Sequence, residues 1–182
     1  KIALEPTMDL FIWLTITKTW DEEKTINYVK KLREQNPIFV KGITQLTTLL
    51  GAGEFSIAMN LNLHRTLDMQ SRGSNVAWVP LSPALSECSP FAIMRDAPHP
   101  NAAKLYLRWL MSTEGQSMVD KIRKKGNPLP GSGTVQSKAI EKMGLKVLVV
   151  PQWEMDTNKF QVVYLKALGY TNQSKVIEEK KK

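Results

Sequence analysis

The stretch FAIMRDAPHPNAAKLYLRWLMSTEGQ, residues 91–116, carries the most explicit structural signals in the chain. Its apolar start, from Phe91 to Met94, predicts a short strand. Pro100 suits the first turn of a helix. The apolar spacing behind that proline predicts a buried stripe made by Ala103, Tyr106, Leu107 and Leu110. Ser112 is a suitable cap for a second helix, with Gln116 reaching back to it in a capping box. The stretch therefore predicts a strand followed by two packed helices.

The flanking sequence predicts further short strands that alternate with helices. Strands are expected at residues 1–5, 55–59, 76–80 and 146–150, where apolar residues cluster or alternate. Helices are expected behind a cap at Thr7 or Asp9, and at residues 21–35, 43–50, 63–70 and 156–168. The glycines and prolines of residues 126–133 predict a loop. This alternation indicates an α/β fold.

The composition is that of a globular protein with an apolar core. The chain has 182 residues, 42% of them hydrophobic and 23% charged, which is enough for one large domain or two small ones. The formal net charge is +8, but the basic residues are scattered apart from short runs at 123–125 and 180–182. This pattern is typical of a solvated surface and disfavours nucleic acid as a partner. The single cysteine, Cys88, excludes a disulfide within the chain, and the longest apolar run, residues 10–14, is too short to cross a bilayer.

The sequence contains no motif of a catalytic or metal site. With one cysteine and two histidines, pairs of nucleophile and base are few, and no Gly-x-Ser-x-Gly elbow occurs. The turn at residues 51–54 is too short for a phosphate-binding loop. No spacing of His, Asp and Glu demands zinc. We therefore expect a binding protein and not an enzyme, with no catalytic residues, no cofactor and no resident metal ion.

Four stretches together resemble one protein family. They are GAGEFSIAMNLNLHR at residues 51–65, VAWVPLSP at residues 76–83, the stretch 91–116 quoted above, and GNPLPG at residues 126–131. In this order they resemble the extracellular solute-binding proteins of ABC importers, in particular the branch that contains ferric-ion, polyamine and sugar-phosphate binders. The resemblance extends over residues 1–130 and is most specific in the Pro-Asn-Ala-Ala and Glu-Gly-Gln positions of the quoted stretch.

The resemblance implies a two-lobed α/β fold similar to the type II periplasmic binding proteins, in which crossing hinge strands join the lobes around the ligand. Residues 1–75 are expected to form most of the second lobe. Residues 76–125 would form a hinge strand and the C-terminal part of the first lobe, and residues 126–182 would form helices that return to the second lobe. Because the chain begins at Lys1 within an extended stretch, we expect a C-terminal fragment. A partner chain, a swapped dimer or a further segment would then cover its apolar faces.

Two loops of the second lobe would face the ligand. The first offers the N-terminus of a helix and a hydroxyl group, through Thr7, Met8 and Asp9. The second offers amides, an imidazole and a guanidinium, through Asn60, Asn62, His64 and Arg65. This mixture suits a small polar anion, such as a carboxylate or phosphate with neighbouring hydroxyl groups. Further candidates for lining the cleft are Glu5 and Trp78, whereas His99, between two prolines, is interpreted as a loop residue.

Iron binding through tyrosine is disfavoured. The resemblance implies that, in the ferric-ion binders, two adjacent tyrosines follow the strand that corresponds to residues 55–59. These tyrosines coordinate the metal through phenolate oxygens. The corresponding positions here are Leu63 and His64. The resemblance therefore implies the capture of a different small solute, or of an ion held in another way.

The resemblance implies capture of a solute in the periplasm or an equivalent extracytoplasmic space. The expected partners are that solute and an ABC permease. Two alternatives stay open. The chain could be a sensor or interaction module of the same fold with no role in transport. It could also be a basic domain that binds nucleic acid or another anionic surface, in which case binding would weaken steeply as salt is added.

Overall fold

A computed structural model describes residues 1–87, 91–150, 157–171 and 176–177 of the 182-residue chain. The chain divides into two compact units, one comprising Lys1–Val79 and Trp153–Lys182 and the other Pro80–Gln152. Both units combine helices with parallel strands, so the chain is a mixed α/β protein, as the sequence predicts. None of the helices in these ranges has the length and apolar character of a membrane span. Whether the two units correspond to the lobes expected at residues 1–75, 76–125 and 126–182 stays a prediction.

A four-stranded parallel sheet lies in the first unit. Its strands, numbered along the chain, are β1 (Ile2–Leu4), β2 (Ile38–Val40), β3 (Ile57–Met59) and β6 (Val176–Ile177), in the spatial order β3-β1-β2-β6. Its helices are α1 (Asp9–Ile16), α2 (Glu22–Glu34), α3 (Ile43–Gly51), α4 (Leu63–Ser71) and α8 (Asn158–Leu168). The register pairs Leu4 of β1 with Met59 on one side and with Phe39 on the other. The carboxyl ends of these three strands therefore lie along one edge of the sheet.

Apolar side chains cover both faces of this sheet. Ala3 of β1 packs in one cluster with Val40, with Leu46 of α3 and with Phe55, all of them buried. Leu4 is equally buried, and the alternation of a strand turns its side chain to the opposite face. The connections from β1 to β2 and from β2 to β3 run in opposite directions, so their helices lie on opposite faces when both crossovers are right-handed. This arrangement leaves the carboxyl edge of the sheet for loops.

Helix α2 illustrates how local sequence defines an element. The carboxylate of Asp21 accepts a hydrogen bond from the backbone N of Lys24 over 2.7 Å, which caps the first turn. Acidic residues follow in the first turn and basic ones in the last, as the helix dipole favours. Its buried residues, Thr25, Val29 and Leu32, repeat at helical spacing. The predicted helix at residues 21–35 is therefore confirmed.

The second unit contains a parallel pair of strands, β4 (Ala84–Glu87) with β5 (Val147–Val150). Its helices are α5 (Pro100–Leu110), α6 (Thr113–Arg123) and α7 (Val135–Lys142). Oγ of Ser112 accepts from the backbone N of Gly115 over 3.2 Å, so the predicted cap of α6 is confirmed. A Cβ atom on Gly115 would overlap the carbonyl oxygen of Trp109 and lie 2.9 Å from Cα of Leu110. The tight turn between α5 and α6 therefore requires glycine at this position.

Two predicted strands are wrong. Residues 76–80 and 91–94 are irregular, and neither segment pairs with a strand among the described residues. Val79 and Phe91 are 84% and 61% exposed. Apolar character alone therefore did not produce a strand, because a strand also needs a neighbour to accept its backbone hydrogen bonds. Four further elements, β2, β4, β6 and α7, were not predicted from the sequence.

The predicted packing of α5 is only partly correct. Leu110 is buried, but Tyr106 is 58% exposed, so the stripe is narrower than its helical spacing predicts. Gln116 does not form a capping box, because its side-chain N donates instead to the carbonyl oxygen of Leu110 over 2.7 Å. That bond satisfies a carbonyl group at the end of α5. In the strand at 57–59, Ile57 is 52% exposed although alternation predicts it on the buried face.

Candidate functional site

The order of the strands creates a switch point at the carboxyl edge of the first unit's sheet. The chain passes from β1 to β2 on one side and then returns to β3 on the other side of β1. In open parallel sheets, ligands bind outside the carboxyl ends of the strands at such a point. The loops that begin here are residues 5–8 after β1 and residues 60–62 after β3. These are the two loops that the sequence predicts for ligand binding.

A chain of hydrogen-bonded side chains joins these two loops. Nδ2 of Asn60 donates to Oγ1 of Thr7 over 3.1 Å. The Thr7 hydroxyl in turn donates to the carboxylate of Asp9. Partial burial raises the pKa of the Asp9 carboxyl, and the hydrogen bond from Thr7 opposes that rise. Because Asp9 keeps an exposed surface, solvent screens its charge. The structure thus brings three predicted residues together across the switch point.

The N-terminus of α1 is less available than the sequence predicts. Met8 is the N-cap residue and no side chain caps it, so the prediction that Thr7 or Asp9 caps this helix is wrong. The backbone N of Met8 donates to Oε1 of Gln161 over 3.3 Å. The backbone N of Thr7 donates to the carbonyl oxygen of Glu5 over 2.8 Å. Two of the backbone donors near this helix start therefore already have acceptors within the protein.

Two further polar side chains fix the positions of the strand ends. Oε1 of Glu5 accepts from the backbone N of Gly42 over 3.1 Å, which links the end of β1 to the start of α3. Gly42 has φ +91°, a conformation that favours glycine. Gln161, in α8, lies at the same edge, and its contact with Met8 was not predicted from the sequence. It lies 153 residues from Met8 in a helix with no site motif, so nothing in its local sequence indicates this contact.

The first turn of α4 carries the remaining predicted residues. Asn62 is the N-cap residue and is exposed, and its side chain makes no capping hydrogen bond. His64 is half-buried and interacts with other groups of the protein. Arg65 is also half-buried, and its Nε is buried with no hydrogen-bond acceptor among the described residues. A buried donor without an acceptor costs about 1–3 kcal/mol. An acidic group that accepted a hydrogen bond from this Nε would remove that cost, but Nε is buried, so neighbouring side chains would first have to move.

The other sequence candidates, Trp78 and His99, belong to other segments of the chain. Trp78 is half-buried in an irregular segment of the first unit. His99 is the N-cap residue of α5 in the second unit, and its side chain makes no capping hydrogen bond. In the ranges that the structure describes, no group of three or more His, Cys, Asp or Glu side chains is placed to hold a metal ion.

A family model for bacterial extracellular solute-binding proteins matches residues 12–122, more than half of the chain. The chain belongs to this family. The matched range includes β3, the loop after it and α4, together with the stretch 91–116 from which the sequence resemblance was drawn. The resemblance to extracellular solute-binding proteins is therefore confirmed. Comparison with curated proteins and with solved structures gave no match.

Membership of this family indicates a role in binding a solute, and proteins of the family are typically not enzymes. The family also indicates a location outside the cytoplasm. The polar edge at β1 and β3 carries amide, hydroxyl and guanidinium groups. After β1, the backbone N–H groups of Thr7 and Met8 and the Thr7 hydroxyl already have partners within the protein.

Proposed function

We propose that this solute-binding protein captures a small polar anion as the receptor component of an ABC importer, in the periplasm or an equivalent space. Family membership supports solute capture. The Nε of Arg65 has no hydrogen-bond acceptor in the described part of the chain, and it lies in the helix that begins at the switch point. This observation supports an anionic solute more than any other. Thr7, Met8 and Asp9 form the other side of the proposed site.

A carboxylate or phosphate that carries hydroxyl groups fits this set of side chains. A guanidinium donates to two acidic oxygens in a fork. After its bond to Thr7, Asn60 keeps one amide hydrogen and a carbonyl oxygen, and both suit hydroxyl groups. Asn62 adds a second amide, which is exposed. Ferric ion is not proposed, because residues 63 and 64 provide no phenolate oxygen.

The negative charge of Asp9 makes a specific prediction about this site. It lies at the same edge and repels an anion, although its hydrogen bond from Thr7 helps to position the loops. We propose that the solute's acidic group binds on the side of Arg65, and that Thr7 and Asp9 orient Asn60. Removing the charge of Asp9 while keeping its shape should then strengthen binding.

In the proposed mechanism, the solute also stabilises a closed arrangement of two lobes, and the permease binds that closed form. The solute must prefer the closed form over the open one, since equal affinity for both would not shift the equilibrium. This part of the proposal rests on the family and not on the geometry of the site.

Thermal unfolding in the presence of probe solutes tests the proposal. The probes are inorganic phosphate, sulfate, citrate, glycerol phosphate and, as a cationic comparison, spermidine. A solute at 100 times its dissociation constant stabilises the folded state by about 2.7 kcal/mol, which raises Tm by several degrees. The variants are Arg65→Ala and Asp9→Asn. The matched control is Arg72→Ala, which removes an arginine of the same helix region that pairs with Asp68 over 3.0 Å and is exposed.

The expected result is a Tm increase with at least one anion. Arg65→Ala should weaken binding of that anion by at least about tenfold, since a hydrogen bond to a charged group contributes about 1.5–3 kcal/mol. Asp9→Asn should increase the affinity for the anion, and Arg72→Ala should leave the affinity unchanged. The proposal is wrong if only spermidine stabilises the protein, if no probe does, or if Arg72→Ala weakens binding as much as Arg65→Ala.

A further inference from the structure

A groove between α2 and α8 lies on the first unit, apart from the switch point. These two helices pack against each other. The floor of the groove is apolar and is formed by Ile26, Val163 and Ala167, and Asn36 closes one end. Asn36 follows α2 and precedes β2, so that end of the groove is near the amino edge of the sheet. A partner bound here would not compete with a solute at the carboxyl edge.

The rim of the groove is mostly basic. Lys30 and Arg33 come from α2 and Lys166 comes from α8, and all three are exposed. Among the described residues that line the groove, Glu34 is the only acidic one. None of the three cations forms an ion pair with another residue in the part of the chain that the structure describes. The Arg33 side chain passes close to Gly169, because a Cβ atom at that position would lie 2.6 Å from its Nε.

The basic residues near the helix ends stabilise the helices themselves, because a cation near the C-terminal end of a helix interacts favourably with the helix dipole. That role does not require the apolar floor between them. An apolar strip bordered by cations instead complements an amphipathic segment that carries apolar residues on one face and acidic residues beside them. α2 lines the groove from Ile26 to Glu34, which corresponds to about 12 Å at 1.5 Å per residue. This length matches about two turns of a helix.

We propose that this groove is the docking site for an acidic amphipathic helix of a partner polypeptide. Glu34 would pair with one basic residue of that helix and so fix its direction. A small molecule fits less well, because the exposed rim leaves the groove open and small ligands are usually enclosed. A second copy bound to the same surface would bring the rim cations of both copies together, and like charges repel.

The proposal is tested with a synthetic peptide of about 12 residues, blocked at both ends, that has Leu and Ala on one face and Glu with a single Lys beside them. Binding to the full chain is followed by fluorescence anisotropy. The test variant replaces the rim cations with glutamine: Lys30→Gln, Arg33→Gln and Lys166→Gln. The matched control removes the same charge at exposed lysines outside the groove: Lys18→Gln, Lys31→Gln and Lys138→Gln. Circular dichroism checks that both triple variants are folded.

We expect saturable binding of the peptide, at least about tenfold weaker in the groove variant and changed less than twofold in the control. Added salt should weaken binding, because exposed charges are screened. A peptide of the same composition with scrambled order should not bind. The proposal is overturned if the peptide does not bind at millimolar concentration, or if the control variant loses as much affinity as the groove variant. It is also overturned if the groove substitutions weaken binding to vesicles of anionic lipid but leave binding of the peptide unchanged. Self-association that the groove variant abolishes would also overturn it in favour of a second copy.

Discussion

The replacement Tyr164→Phe tests how the helices of the first unit are held together. The Tyr164 side chain is fully buried, and its hydroxyl lies 2.7 Å from Oγ1 of Thr15. Oγ1 of Thr15 also lies 3.0 Å from the carbonyl oxygen of Phe11, to which it can donate, and either hydroxyl of the Thr15–Tyr164 pair can be the donor between them. Thr15 also lies 3.0 Å from Oγ1 of Thr25. This network joins α8 to α1 and α2, and the hydroxyl of Tyr164 is its link to α8.

The loss expected from Tyr164→Phe is one buried hydrogen bond without a new unpaired donor, because Thr15 keeps its other partners. Such a bond contributes about 1 kcal/mol. For a chain of this size that loss lowers Tm by about 2–4 °C. The exposed Tyr106→Phe change is the matched control, and its effect on Tm should be within error.

The same variant also makes a prediction about pH. Burial raises the pKa of Tyr164 above its ordinary value of 10.0, opposed by hydrogen bonds to Thr15 and Thr25. In the unfolded chain the phenol therefore ionises first, so its contribution to stability is complete below about pH 10 and is lost as pH rises through the higher folded pKa. The difference in unfolding free energy between the native protein and Tyr164→Phe, measured in urea, should shrink from pH 8 to pH 11. Equal stability at pH 8, or a difference that grows with pH, would refute this account.

Three further changes test single contacts through thermal or urea unfolding. Gly115→Ala should cost more than about 2 kcal/mol, since the new Cβ overlaps the carbonyl oxygen of Trp109; an unchanged Tm would contradict the close approach of α5 and α6. Asp21→Ala should cost about 1 kcal/mol by removing the cap of α2, and Asp21→Asn should restore most of it. Gln161→Ala should cost about 1–3 kcal/mol, because the backbone N of the buried Met8 loses its acceptor. A loss below about 0.5 kcal/mol would mean that the contact is not important.

The sequence predicts best those elements whose ends are defined by short-range chemistry. Asp21 and Ser112 cap α2 and α6 through residues only three positions away, so local sequence contains the whole signal. Pro100 similarly defines the start of α5. The helices expected at residues 43–50 and 63–70 also agree with α3 and α4, which end near glycines. These boundaries depend on few distant contacts.

Strands are harder to predict, because their partners are remote in sequence. β4 contains Ser86 and Glu87 and has no strong apolar pattern, yet it pairs with β5, some sixty positions later. Residues 91–94 have the apolar pattern but no paired neighbour in the described structure. Strand length adds to the difficulty, since β1, β2 and β3 have only three residues each. Periodicity cannot be measured over so short a segment.

The candidate site likewise contains some residues that the sequence could predict and some contacts that it could not. Thr7 and Asn60 could be predicted because each follows a short apolar stretch, and parallel strands bring their carboxyl ends to one edge. The engagement of Met8 by Gln161 could not be predicted, since it depends on how α8 packs on the unit. Likewise, only the structure reveals that the Nε of Arg65 is buried without an acceptor.

The most direct test of the central claim is a titration of the isotopically labelled protein with inorganic phosphate, citrate and glycerol phosphate, followed by backbone and side-chain NMR signals. The account predicts saturable shifts that include Asn60 and Asn62 and the side-chain Nε–H of Arg65, with residues of the α2 and α8 groove unchanged. Shifts confined to other surfaces, or no saturable shift with any of these anions, would contradict the proposal that an anionic solute binds at the ends of β1 and β3.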